Sequence, residues 1–287
     1  MSATQTERPV RERAGWRVVA MPSEHGGWGL TLEPVLLGLI VAWSTAGVAL
    51  GIAAFTAFLL RTPAKLVALD IRRGRWLDRS RLALRIAVVE AAVLVVAVVV
   101  AIASAGWSWL VPVLFAAPLV AIELSFEIRS RGRRLVPELC GAVGMAAVAA
   151  SVVLAGNQPA RLAVGLWLVL AARALGAIPF VRVQIFRLLR RQGRPVWHSD
   201  VAQAVAVAVA TVAVIVDRKL LLGLAGVVVL AAAQSVWVRQ APIPAKRLGM
   251  RQLACGLALV ALTAAGCAVV NQSVNEVVNK SVNEVVL

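Results

Sequence analysis

Long apolar runs recur through almost the whole chain, with arginines set between them. Nine stretches approach the roughly 20 apolar residues that an α-helix needs to cross a bilayer. They cover 28–44, 47–69, 82–104, 107–127, 135–156, 161–185, 199–216, 219–238 and 248–270. Backbone polar groups find no water in hydrocarbon, so such runs fold as helices that satisfy their own hydrogen bonds. The expected fold is all-α, a polytopic transmembrane helical bundle of about nine spanning helices. The first two runs form one stretch too long for a single span, and 43–47 is the natural turn. The seventh run is short and carries Asp200 and Gln203.

Charge orients this threading. Only 15% of residues are charged, yet 30 Lys and Arg face 14 Asp and Glu, for a net charge of +16. A soluble domain so basic would point to nucleic acid. Here the arginines lie between apolar runs rather than on one soluble face, so no nucleic-acid partner is expected; the partner is the lipid bilayer. With the N-terminus in the cytoplasm, 26 of the 30 cations fall on the cytoplasmic side. Arg161, Arg218, Lys219 and Lys280 remain outside. That asymmetry is the positive-inside pattern. It implies a multi-pass protein of a bacterial inner membrane, N-terminus cytoplasmic and C-terminus external.

Three regions follow: a basic N-terminal segment over 1–20, the transmembrane domain over 21–270, and an Asn/Val-rich tail over 271–287. The tail contains SVNEVV twice, at 273–278 and 281–286. It reads equally as an amphipathic external segment or as disorder. The cysteines, Cys140, Cys255 and Cys267, sit singly inside apolar runs and suggest neither disulfides nor a zinc site. His198 and Asp200 lack a third metal ligand nearby.

Ionisable residues inside spans are costly and tend to mark functional sites. Glu24 and His25 lead into the first run, which contains Glu33. These three form a candidate polar and acid–base cluster; the alternative is a helix cap, with His25 solvated. Glu33 lies deep enough to resist that alternative. Arg61, Lys65 and Arg72 project from one face of the second span, around Pro63. They either snorkel to headgroups or wall an anion-binding cavity. Arg173 lies about twelve residues into the sixth span. It requires a partner or an anionic ligand, and Glu90, Glu123 and Glu138 are the candidate partners. Arg173, Gln184 and Arg187 share a face. Arg182 points away from it unless Pro179 turns the helix.

Pro22-Ser-Glu-His-Gly-Gly-Trp28, followed by Pro34 and Gly38, resembles the first motif of the YwiC-like family of bacterial membrane proteins. RSRGRRLVPELCG over 129–141 resembles that family's Arg-rich loop and helix start. PFVR over 179–182 and AKRLG over 245–249 resemble its later motifs. The resemblance runs over roughly 21–270 and implies a topology without a mechanism. The threading also resembles the UbiA superfamily of intramembrane prenyltransferases, whose sites lie at the cytoplasmic ends of spans two and six. That family's Asp-rich motifs hold Mg²⁺ on a pyrophosphate. Here Asp70 has Leu66 and Gly74 four residues to either side, too few hard oxygen ligands for Mg²⁺. No cofactor and no metal are expected.

The resulting expectation is a basic, cytoplasm-facing cavity for an anionic amphiphile: an isoprenoid phosphate, quinone precursor, haem propionate or lipid. Arg61, Lys65, Arg173 and Arg182 would hold the anion, because the guanidinium fork and a fixed charge suit oxyanions. A small-anion or solute transporter and a non-catalytic assembly factor are the alternatives. Catalysis and oligomeric state stay open.

Overall fold

A computed structural model describes the backbone at residues 16–21, 25–129, 134–189 and 195–286. The side chains at 17, 18, 25, 26, 271 and 273–286 are outside this description. The described residues form α1 (Trp16–Ala20), α2 (His25–Val41), α3 (Thr45–Arg72), α4 (Asp78–Ala105) and α5 (Leu110–Ile128). Then follow α6 (Leu135–Ala155), α7 (Ala160–Leu188), α8 (Trp197–Val216), α9 (Leu221–Trp237) and α10 (Ala245–Val286). A single 3-10 turn, Arg218–Leu220, joins α8 to α9.

Helices α2 to α10 match the nine apolar runs one for one. Eight are long and apolar enough to cross a membrane. The chain therefore has the pattern of a multi-pass membrane protein. The exception is α2, whose apolar part, Gly27–Val41, is shorter. Its 17 residues reach about 25 Å at 1.5 Å per residue, against about 30 Å of hydrocarbon. The turn expected over 43–47 is observed between Val41 and Thr45. Pro63 and Pro179 lie inside α3 and α7, which continue as single helices through them. Helix α10 runs on through the tail to Val286, so no break in the backbone marks position 271.

The chain divides into two compact units. The first unit comprises 1–23 and 56–94. Val19, Val67 and Ala83 form its small apolar core. Where α3 ends, Gly74 takes φ +60°, a left-handed conformation that costs little without a Cβ. It lets the amides of Gly74 and Arg75 reach back to the carbonyls of Ile71 and Asp70. The turn is then fastened by side chains. Ser80 Oγ donates to Asp70 Oδ2 at 2.7 Å, and Arg79 Nη2 to Asp70 Oδ1 at 3.1 Å.

The second unit comprises 24–55 and 95–287. Helix α7 is its most enclosed span, and it packs on α6 and α8 and more lightly on α2, α9 and α10. The packed surfaces are rich in small residues: Ala146, Ala149, Ala150, Ala172, Ala206, Ala210 and Ala213 are all buried. Small side chains let helix backbones approach closely, which is how association proceeds where lipid supplies no hydrophobic drive. By contrast α5 keeps Val111, Leu114 and Phe115 exposed, an outward apolar face suited to lipid tails.

Candidate functional site

Three groups from three helices of the second unit meet in its interior. Glu33 lies eight residues into α2, Arg173 near the middle of α7, and Gln252 in the first turns of α10. Arg173 Nη2 stands 3.8 Å from Glu33 Oε1, and both side chains are about 95% buried. The same nitrogen donates to the Gln252 backbone carbonyl at 2.6 Å. A charge at this depth is tolerated only when paired.

Glycine makes the room. A Cβ at Gly256 would stand 1.7 Å from Glu33 Oε1, so the carboxylate lies against bare α10 backbone. Glu123 uses the same device on α6, where a Cβ at Gly141 would come 2.4 Å from its carboxyl carbon.

The face shared by Arg173, Gln184 and Arg187 is directed at protein rather than at an anion. Gln184 Nε2 donates to the Trp237 carbonyl at 2.7 Å, and Arg187 Nη1 donates to the Val238 carbonyl. These oxygens belong to the C-terminal end of α9, where the last carbonyls lie beyond the helix's own ladder; the Trp237 carbonyl also accepts from the Gln240 amide at 3.2 Å. Arg251 lies over the Trp237 ring, 3.1 Å from its centroid. Beside them Arg239 forks onto Asp200 at 2.8 and 3.0 Å. The hydrogen bonds and charge of Asp200 hold that guanidinium above its ordinary pKa.

Arg182 lies on the other side of α7. Its Nη1 meets Glu138 Oε2, from the first turn of α6, at 2.8 Å. The pair is partly open, with side-chain exposures of 17% and 35%. Next to it is a cavity of about 220 Å³ between α6, α7 and α8. Its walls are Leu135, Leu139, Leu175, Pro179, Val183, Val201, Ala202 and Val205; Arg182 and His198 supply its polar edge. His198 stacks on Trp197, ring centroids 3.9 Å apart.

Among the sequence-level candidates two pairs are observed. Glu33 joins Arg173, and Arg182 joins Glu138. Arg61, half-buried, and Lys65, exposed, belong to the first unit, as does Glu90. Glu24 lies outside the described residues; His25 opens α2, with its side chain undescribed. Among the described residues no three His, Cys, Asp or Glu side chains gather as metal ligands. Sequence reasoning missed Glu33 as the partner of Arg173 and missed Gln252 and Gly256 altogether. For Gln252 no side-chain signal was available, because Arg173 donates to its backbone carbonyl.

Residues 21–153 match the family model described as YwiC-like protein. The matched segment spans α2 to α5 and nearly all of α6. It includes Glu33, Glu138 and the first motif, and it ends before α7, so PFVR and AKRLG lie beyond it. No curated protein and no solved structure matches the chain.

Proposed function

We propose that this chain is a YwiC-like membrane protein that binds an anionic amphiphile from the cytoplasmic side of the bilayer, in the cavity beside Arg182. The observation that carries this reading is the cavity's composition. Its wall is almost wholly apolar, and its polar edge holds a guanidinium. A hydrocarbon chain loses nothing on leaving lipid for such a wall, and a guanidinium fork suits a carboxylate or phosphate head. At about 220 Å³ the cavity is smaller than the ~300–1,000 Å³ sites that enclose a whole small molecule. It takes a chain segment next to the head while the remainder stays in the bilayer.

Glu138 occupies Arg182 in this structure. A partly exposed ion pair is worth about 1 kcal/mol or less, so a ligand oxyanion competes with it at little cost. Arg173 is assigned a different task, since Glu33 and Gln252 already engage it. The arginine distribution supports an N-terminus-inside orientation, in which the Arg182 end of α7 lies in the cytoplasmic leaflet. Nine helices in this order support a threading like that of the UbiA superfamily. Asp70 is engaged by Ser80 and Arg79, and Mg²⁺ chemistry is no part of this proposal.

The test is native mass spectrometry of detergent-purified protein, with organic extraction of whatever is retained. Wild type should carry a defined anionic amphiphile that Arg182→Gln loses. Equal, bulk phospholipid on both proteins would remove the reading and favour transport or assembly.

A further inference from the structure

A second cavity lies in the interior of the second unit, between α7, α8 and α9, and the lateral cavity plays no part in it. It is small, about 10 Å³, and is lined by Arg173, Gly176, Gln203, Ala206 and Gln234 among others. That volume is at the lower limit for one water molecule. Its polar lining has a definite pattern. Gln203 Nε2 donates to the Gly176 carbonyl and to Gln234 Oε1, each at 3.0 Å. These two bonds use both hydrogens of that nitrogen and fix the orientation of both amides. An acceptor, Gln203 Oε1, and a donor, Gln234 Nε2, remain. Gln203 Oε1 lies over Gly176, 2.8 Å from where a Cβ would stand. Arg173 also lines the cavity, and its Nε is buried and without a hydrogen-bond partner.

We infer that this cavity is a binding site for a single fixed water. The water accepts from Arg173 Nε and Gln234 Nε2 and donates to Gln203 Oε1. Two donors and one acceptor around a one-water volume match what a buried water offers, about three hydrogen bonds. Leaving those groups bare in a membrane interior is the costly alternative. The water continues the polar network from Glu33 and Arg173 through to α8 and α9. It thereby satisfies Arg173 Nε, which neither the Glu33 contact nor the Gln252 bond uses, since both fall on Nη2. Gly176 is needed because a side chain there would displace Gln203 Oε1 from the site.

The test compares Ala206→Thr with Ala206→Val. Both side chains are β-branched and nearly the same shape, so any crowding is common to both. A hydroxyl at 206 takes over hydrogen bonds that the water made, and a methyl expels the water and replaces none. The Thr variant should melt several degrees above the Val variant. If the lining groups needed no partner the order would reverse, and a reversed order would overturn the inference. If neither variant folds, the wild-type crystal structure in a lipid mesophase at about 2 Å decides. A density peak within hydrogen-bond reach of Arg173 Nε, Gln203 Oε1 and Gln234 Nε2 is expected. A cavity without density, or an Arg173 side chain collapsed into it, contradicts the site.

Discussion

Arg173 and Arg182 sit nine residues apart on one helix and have opposite surroundings. Arg173 is 6% exposed and tied to α2 and α10 through Glu33 and the Gln252 carbonyl. Arg182 is 17% exposed, faces α6 and α8, and borders a cavity with an apolar wall. At about 100° per residue, nine residues put them half a turn out of phase. The same side chain is an internal tie on one face and the partly exposed polar edge of a cavity on the other. An arginine inside a span therefore does not by itself indicate a ligand. What decides is whether its partners are protein groups fully enclosed with it.

The largest effect should come from Arg173→Ala. It leaves the Glu33 carboxylate buried with its cation gone, a change that costs about 3–5 kcal/mol. Total stability is commonly only about 5–15 kcal/mol. The expected outcome is a sharp loss of monodisperse protein on size exclusion and a melting point far below wild type. An unaltered melting point would break the contrast between the two arginines.

Gly256→Ala should follow in size. Its Cβ is placed on the Glu33 carboxylate, and forced overpacking costs about 1–3 kcal/mol. Adding Glu33→Ala should relieve that clash. The double variant should lose less stability than the two single losses added together, as neighbours sharing one space do. Strict additivity in the thermal melts would mean that the carboxylate does not rest on α10.

Asp70→Asn is smaller and confined to the first unit. It weakens two hydrogen bonds at the α3–α4 turn, and Arg79 is 45% exposed, so the loss should be about 1 kcal/mol. Amide exchange should quicken around 70–80 and remain unchanged along α7. Faster exchange throughout α7 would sink the idea that this tie is local.

Much of the fold was legible because hydrophobicity acts locally. A run of apolar residues dictates a helix wherever its neighbours lie, so the nine runs became α2 to α10. The depth of Arg173 and its shared face with Gln184 and Arg187 were also legible, since helical periodicity fixes both. Partners were not. Glu33 is 140 positions from Arg173, and only the packing of α2, α7 and α10 brings the pair together. The sequence left Glu90, Glu123 and Glu138 as candidates, and Glu138 meets Arg182 instead, on the opposite side of α7. The carbonyls that receive Gln184 and Arg187 have no sequence signature at all. Any residue ending α9 would present them. Gly256 reads as one more small residue in a span until the carboxylate above it is seen.

Arg173 is enclosed with Glu33, whereas Arg182 borders a cavity with an apolar wall. That difference gives the account its most direct test: thermal unfolding of wild type and Arg182→Gln, each with and without saturating oleate, a single-chain anionic amphiphile. A ligand that binds only the folded protein raises its melting point. Without oleate the two proteins should melt within a degree or two of each other, because the Arg182–Glu138 pair contributes about 1 kcal/mol or less. With oleate, wild type should rise by several degrees and Arg182→Gln should not move. An equal rise in both proteins would contradict the assignment of Arg182 as the ligand-binding arginine.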